Sequence, residues 1–177
     1  MNITVYLGAR MGKNKKYEEG AIALGHLIGS GGHRLVYGGS KIGLMGILAE
    51  AVLASGGKVV GVEPRFFVEA VLQHEGIQKL IVVETMAERK TKMIELGDAF
   101  IAFPGGFGTL EEISEIISHN ALSLMQKPCI IYNLDHYYDP LKALLTQMTE
   151  EGFADQRGLQ KVRFASTIEE IQKELGL

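Results

Sequence analysis

The chain of 177 residues is 46% hydrophobic and 22% charged, the balance of a single folded domain over residues 1–177. Its formal net charge of −3 argues against a surface that binds nucleic acid through clustered basic residues. The one cysteine, Cys129, cannot form an internal disulfide, and the five histidines lack the spacing of metal ligands. We therefore expect neither a metal site nor a nucleic-acid partner.

The sequence carries no recognisable targeting signal. Met1 leads directly into an apolar run, without the charged segment and apolar core of a signal peptide. No uninterrupted apolar run reaches the roughly 18 residues that a membrane-spanning helix needs. Together with the lone cysteine, these features predict a cytoplasmic protein without membrane contact.

Short apolar runs alternate with longer amphipathic segments along the whole chain. Strands are predicted over Ile3–Leu7, Arg34–Tyr37, Lys58–Val62, Lys79–Val83, Ala99–Phe103, Cys129–Tyr132 and Val162–Ala165. Helices are predicted over Tyr17–Ile28, Leu44–Ala54, Phe66–Leu72, Ala87–Leu96, Thr109–Leu124, Pro140–Glu150 and Ile168–Leu175. The strands are short, nearly all apolar and rich in Val and Ile, which is typical of strands buried on both faces. We predict an α/β fold with a doubly wound sheet of about six or seven parallel strands and helices on both faces.

Ligands of such sheets bind beyond the carboxyl ends of the strands, so the strand-to-helix turns are the candidate sites. The first turn, residues 8–13, reads GARMGK. It is too short for a Walker A loop and has Asn14 where that loop has Ser or Thr, which excludes a P-loop ATPase. The second turn, residues 37–46, reads YGGSKIGLMG, and its four glycines allow a ligand or a neighbouring backbone to approach closely.

The third turn, residues 104–112, gives the strongest signal and reads PGGFGTLEE. It follows the predicted strand Ala99–Phe103 and leads into the predicted helix Thr109–Leu124. Three glycines in four residues leave backbone amides uncovered at a helix N-terminus, where the helix dipole favours an anion. Thr109 either caps this helix or binds a phosphate oxygen. We interpret the turn as a phosphate cradle.

Three glutamates follow the cradle. Glu111 would repel a phosphate, so we interpret it as facing another part of the ligand, such as a ribose hydroxyl group. Glu111 shares a helix face with Glu115 and Ser118 by its spacing. Glu112 and Glu115 are expected on a solvated face.

Two adjacent basic residues, Arg89 and Lys90, lie at the start of the predicted helix Ala87–Leu96. Positive charge at this end opposes the helix dipole. An arginine here can bind an anion in bidentate geometry, or it can pair on the surface with Glu88 or Glu95. The residues alone leave these two alternatives open.

These motifs resemble those of the LOG ("Lonely Guy") family, the cytokinin riboside 5′-monophosphate phosphoribohydrolases. PGGFGTLEE resembles the family's PGGxGTxxE signature, residues 86–90 (MAERK) resemble its M-x-E-R-K motif, and residues 35–46 (LVYGGSKIGLMG) resemble its LVYGGGxxGLMG turn. The resemblance runs from Ile3 to about Tyr138, with the motifs in the same order. It implies a Rossmann-like fold and a homodimer whose active sites lie near the interface.

The family cleaves the N-glycosidic bond of N6-modified adenosine 5′-monophosphates and releases the free base and ribose 5-phosphate. The resemblance therefore implies a hydrolase that needs no cofactor. Members of the family were formerly labelled lysine decarboxylases, but this sequence does not support that activity because no pyridoxal-phosphate site is recognisable. Carried over residue by residue, Arg89 and Glu111 form the catalytic pair, with Arg89 holding Glu111 in register. The implied substrate-binding residues are Gly8, Gly39, Met86, Lys90, Pro104, Gly105, Gly106, Phe107, Gly108 and Thr109.

The sequence departs from the family pattern at several positions. Ala9 or Arg10 replaces a phosphate-side Ser of the first turn, and Val71 occupies a position where many relatives carry a substrate-contacting Glu. His119 and Ala121 stand where many relatives carry Trp and Gln. These changes leave the reaction type intact and leave open whether plain or N6-modified AMP is preferred.

Two other classes of function remain as alternatives. The first is a non-catalytic carrier or sensor of a nucleotide or cofactor that uses the same cradle, against which Arg89 and Glu111 argue. The second is a dinucleotide oxidoreductase, but the chain is too short for a separate substrate domain and lacks a G-x-G-x-x-G first turn.

Overall fold

The computed structural model describes residues 1–70 and 73–177. The strands within that part are β1 (Asn2–Tyr6), β2 (Arg34–Tyr37), β3 (Lys58–Pro64), β4 (Lys79–Val83), β5 (Ala99–Ala102), β6 (Cys129–Tyr132) and β7 (Val162–Ala165). The helices are α1 (Lys16–Ser30), α2 (Gly43–Ala54), α3 (Arg65–Glu69), α4 (Met86–Leu96), α5 (Phe107–Ala121), α6 (Asp139–Glu150), α7 (Gln156–Leu159) and α8 (Ile168–Leu175).

The seven described strands form one parallel sheet in the order β4-β3-β2-β1-β5-β6-β7. β1 pairs with β2 on one side, where Ile3 lies opposite Leu35, and with β5 on the other, where Val5 lies opposite Ile101. The chain therefore winds from β1 out to β4, returns to β5 and continues to β7. This reversal puts a topological switch point at the carboxyl ends of β1 and β5. The predicted doubly wound parallel sheet is confirmed.

Helices cover both faces of the sheet, as predicted. Successive side chains of β1 point to opposite faces, so Ile3 and Val5 lie in one hydrophobic core and Tyr6 lies in the other. The first core includes Leu24 of α1, Leu48 of α2 and Ile171 of α8, and the second includes Met93 of α4 and Ile113 and Ile116 of α5. Apolar residues therefore fill most of both faces, with Thr4 of β1 and Glu63 of β3 as buried polar exceptions.

The structure differs from the predicted elements mainly at helix ends. Helix α5 begins at Phe107, two residues before the predicted Thr109. The short helix α7, Gln156–Leu159, was not predicted because four residues are too few for a helical period. The predicted helix Phe66–Leu72 corresponds to α3, which ends at Glu69, while Val71 and Leu72 lie outside the described residues.

The part of the chain that the structure describes contains no helix that is both long enough and apolar enough to cross a membrane.

Candidate active site

The predicted cradle lies at the switch point, in the turn that leads from β5 into α5. The backbone of Gly106 is the N-cap of α5, and Leu110 N–H donates to the Gly106 carbonyl at 3.1 Å to close the first helical turn. The preceding amides of the helix have no carbonyl one turn earlier to pair with. Gly106, Phe107 and Gly108 are exposed. Exposed amides at the positive end of a helix of 15 residues favour an anionic ligand.

Thr109 does not cap this helix. It is the third residue of α5 and only 3% exposed. A Cβ atom on Gly105 would overlap the Thr109 side chain and lie 3.0 Å from the backbone nitrogen of Gly8. Gly105 is therefore glycine because Thr109 and the turn after β1 both press against it. Of the two roles considered for Thr109, capping is wrong, and phosphate binding stays a prediction.

Two tyrosines support the cradle from the segment after β6. Tyr137 Oη donates to the Gly105 carbonyl at 2.6 Å, and the buried Tyr138 donates through Oη to the Phe103 carbonyl at 2.9 Å. No sequence pattern marks the role of these tyrosines, because a hydrogen bond to a backbone carbonyl far along the chain leaves no local signal. Their effect is to fix the carbonyls that precede the free amides.

Tyr138→Phe is expected to lower the free energy of unfolding by about 1–2 kcal/mol, since it leaves the buried Phe103 carbonyl without its donor. Urea denaturation measures this. Tyr137→Phe is the matched control, because Tyr137 is 42% exposed and water can replace its hydroxyl group. Equal stability losses in the two variants would contradict the supporting role assigned to Tyr138.

Arg89 lies at the end of the sheet rather than on the surface. It is 8% exposed, and its Nε donates to the Val62 carbonyl at 3.0 Å. Its Nη1 donates to Glu112 Oε1 at 3.4 Å. A Cβ atom on Gly38 would overlap its guanidinium group, so the glycine after β2 leaves room for Arg89. A buried guanidinium held by two elements is an ordered anchor for an anion or a carboxylate.

The surface partners considered for Arg89 bind elsewhere. Glu88 accepts from the backbone amide of Glu84 at 2.9 Å, while its own amide donates to the N-cap Thr85. Glu95 pairs with Lys92 at 2.6 Å. Both glutamates therefore form contacts within or beside α4, and neither is the partner of Arg89.

The expectation that Glu112 lies on a solvated face is wrong. Glu112 is only 7% exposed because it points from α5 toward α4 and the sheet. Burial raises its pKa to about 7, against the opposing pull of the Arg89 guanidinium. A carboxyl group that titrates near neutrality beside an exposed helix N-terminus is a feature of functional sites.

The expected contact by which Arg89 holds Glu111 is also missing, while the catalytic roles of these two residues stay predictions. Glu111 is 60% exposed at its side chain and pairs with Lys90 at 2.8 Å, not with Arg89. Lys90 reaches Glu115 as well, at 3.2 Å. Counted from Pro104, the last position of PGGxGTxxE is Glu112, and this count is the signal that distinguishes it from Glu111. Arg89 is therefore paired with Glu112, the glutamate of the signature, and Glu111 is not part of that pair.

The structure places the other predicted substrate-binding residues as follows. Gly8 meets the cradle directly, since a Cβ atom on it would lie 3.4 Å from Gly105 Cα. Gly39 follows β2 and has a φ of +90°, and it packs beside Glu63 rather than beside the cradle. Met86 is the first residue of α4 and is 37% exposed. Pro104 is buried two residues beyond the end of β5.

A cleft of about 830 Å³ lies elsewhere, between α1, α2 and residues 74–76. Its lining includes Ile22, Gly43, Glu50 and His74, but not Arg89, Glu112 or residues 104–109. This cleft is therefore distinct from the candidate site, which is defined by its exposed amides and its buried ion pair.

Comparisons with known proteins identify the family of this chain. A family model described as possible lysine decarboxylase matches residues 45–175. A cytokinin riboside 5′-monophosphate phosphoribohydrolase of Rhodococcoides fascians is 47% identical over 86% of this chain and 77% of its own length. The enzyme of the same name, LOG3, from Arabidopsis thaliana is 38% identical over 98% of this chain and 80% of its own length.

A solved structure supports the fold at lower identity. The molybdenum cofactor binding protein of the phototrophic bacterium Rippkaea orientalis has a TM-score of 0.73 and 24% identity, over 99% of this chain and 94% of its own. At that identity the likeness concerns the fold alone. The family model and the two enzymes, together with the motifs, establish the relationship. The chain belongs to the LOG family of cytokinin riboside 5′-monophosphate phosphoribohydrolases.

Proposed function

We propose that this protein hydrolyses the N-glycosidic bond of adenosine 5′-monophosphates, with or without an N6 substituent, to free base and ribose 5-phosphate. The observation that carries the proposal is the buried Arg89–Glu112 pair, 3.4 Å apart, near the exposed amides of α5. The names of the relatives at 47% and 38% identity support the reaction. A carrier would have little need for a buried ionisable carboxyl group beside its anion site.

The phosphate group binds the first amides of α5 in this proposal. These donors and the helix dipole attract an anion without a neutralising side chain inside the cradle. Phosphate binding, remote from the bond that breaks, then holds the ribose against the reacting groups. Thr109 of α5 and Lys90 of the neighbouring helix α4 are proposed to help hold the nucleotide. The same role is proposed for Gly8, Gly39 and Met86.

Glu112 is the carboxylate that acts on the sugar in this proposal. Cleavage of an N-glycosidic bond builds positive charge on the ribose, as in other glycoside hydrolyses. Ionised Glu112 stabilises this charge or orients the attacking water, and Arg89 holds the carboxylate in place. Arg89 is too basic to be the general acid, so its role is to bind and orient. This assignment replaces Glu111 by Glu112 in the catalytic pair.

We further propose that the protein acts on free nucleotides in the cytoplasm as a homodimer. The net charge of −3 favours a small substrate over nucleic acid. Apolar side chains beside the cradle support a partner surface there, since Phe107 is 94% and Leu110 is 42% exposed. Light scattering after gel filtration measures the mass of the assembly.

The function is tested by incubating the purified protein with AMP and, separately, with N6-isopentenyladenosine 5′-monophosphate. Chromatography should detect free base and an equal amount of ribose 5-phosphate. The ratio of kcat/KM for the two nucleotides ranks the substrates. Tight nucleotide binding without release of base from either nucleotide would instead favour the carrier function.

At saturating nucleotide, kcat is expected to rise with pH and to level off above about pH 7. The reason is that Glu112 acts as a carboxylate, and burial raises its pKa to about 7. Below that pH the group is protonated and cannot stabilise positive charge. A kcat that is constant between pH 5 and 9 would contradict this role.

A further inference from the structure

A second buried carboxyl group lies near Arg89, and the mechanism above does not use it. Glu63 is next to last in β3 and is 1% exposed. Within residues 1–70 and 73–177, its Oε2 has no hydrogen-bond partner, and neither does the buried Oη of Tyr37. Buried polar atoms are nearly always paired, so an unpartnered carboxylate oxygen in this place calls for a functional explanation.

The glycine pair after β2 separates Glu63 from Arg89. On one side, a Cβ atom on Gly38 would overlap the Arg89 guanidinium group. On the other side, a Cβ atom on Gly39 would lie 2.9 Å from Glu63 Cβ and 3.3 Å from Glu63 Oε2. Arg89 also donates to the carbonyl of Val62, the residue directly before Glu63. A thin layer of backbone thus lies between the carboxyl group and the guanidinium group.

The charge on Glu63 is set by its surroundings. Burial raises its pKa to about 7, and Arg89 is the cation that opposes this rise. Tyr37 faces Glu63 from β2, and burial, followed by the charges of Glu63 and Glu50, raises the pKa of Tyr37 above its ordinary range. Glu50 of α2 is itself paired with His74 at 3.0 Å. Arg89 itself is paired with Glu112 of α5 at 3.4 Å.

We propose that Glu63 is a positioning residue that acts through Arg89 and couples nucleotide binding to its own protonation. Protonated Glu63 leaves the whole guanidinium charge to Glu112 and to the nucleotide. Ionised Glu63 attracts part of that charge to the other side of the Gly38–Gly39 backbone. One arginine therefore serves two buried carboxyl groups, and the anion site is more attractive when one of them is neutral.

Linkage gives this proposal a measurable consequence. If protonation of Glu63 strengthens binding of the anion, binding of the anion must strengthen protonation by the same factor. Nucleotide binding near pH 7 therefore takes up protons, and its affinity falls between pH 6 and pH 8. The inference rests on the proposed nucleotide site, but it concerns binding and can be tested without turnover.

The test measures the binding of ribose 5-phosphate, the proposed product, by titration calorimetry at pH 6 and pH 8 in buffers of different ionisation enthalpy. Wild type and Glu63→Gln are compared, so protonation of the ligand phosphate cancels. We expect the affinity of the wild type to fall about five-fold more between the two pH values than that of Glu63→Gln, with more protons taken up near pH 7. Glu63→Asp should retain most of the wild-type dependence.

Glu50→Gln is the matched control, because Glu50 lies near Tyr37 but does not contact Arg89. Urea midpoints check the fold. Glu63→Gln should be more stable than wild type at pH 8, and this advantage should disappear below about pH 4, because a folded-state pKa raised from 4.5 to about 7 makes ionised Glu63 costly only above its unfolded pKa. Equal proton uptake in Glu63→Gln and wild type overturns the inference, whatever the turnover. Normal linkage without base release would refute the hydrolase instead, and no binding of ribose 5-phosphate would refute both.

Discussion

Glu112→Gln is expected to lower kcat for AMP by about 100- to 1,000-fold while nucleotide binding stays within a few-fold of wild type. Glutamine keeps the size of the side chain and can still accept from Arg89, whose Nη1 lies 3.4 Å from Glu112 Oε1. It removes the negative charge that stabilises the sugar in the transition state. An interaction used only in the transition state appears in kcat and not in the binding constant.

Glu111→Gln is the matched control for this result. The two glutamates are adjacent on α5, but Glu111 is exposed and pairs with Lys90, so its loss should change kcat by no more than about three-fold. Both variants are assayed for base release and for binding of ribose 5-phosphate. A large loss in Glu111→Gln with near-normal turnover in Glu112→Gln would restore Glu111 as the catalytic carboxylate.

Gly38→Ala is expected to lower kcat by a similar factor, about 100-fold, although it adds only a methyl group. The new Cβ atom would overlap the Arg89 guanidinium group and would also lie 2.8 Å from Met45 Sδ. Arg89 must then leave the Val62 carbonyl and Glu112. A displaced partner leaves Glu112 buried and unpaired, so we also expect a loss of about 2–4 kcal/mol in the free energy of unfolding.

A double-mutant cycle separates this cause from a general packing defect. In an Arg89→Ala background the guanidinium group is absent, so Gly38→Ala should cost little additional stability. Urea denaturation of the four proteins gives the coupling. Additive losses would show that the methyl group disrupts the turn itself and that the position of Arg89 is not the cause.

The fold follows from the sequence because its determinants are local and periodic. The strand Cys129–Tyr132 is predicted with the bounds that the structure has, since four apolar residues between polar turns leave little ambiguity. The start of α5 is missed by two residues, because Phe107 and Gly108 are poor helix formers that the cradle nevertheless holds in the first turn. Helix ends depend on such contacts more than on propensity.

The site is predicted in part. The cradle can be inferred from glycines ahead of a helix, since this chemistry resides in consecutive residues. The pairing of Arg89 with Glu112 cannot be inferred from the sequence, because residues 23 positions apart meet only through the packing of α4 and α5. The burial of Glu63 cannot be inferred from the sequence either, because it too depends on tertiary packing. A glutamate near the end of a strand is expected in solvent unless the tertiary structure covers it.

The most direct test of the site is a crystal structure of the Glu112→Gln variant with AMP. The phosphate group is expected at the first amides of α5, next to Gly106–Gly108, and the ribose within hydrogen-bond distance of residue 112 and Arg89. A nucleotide bound instead in the cleft between α1 and α2, or with its ribose against Glu111 and Lys90, would contradict this expectation.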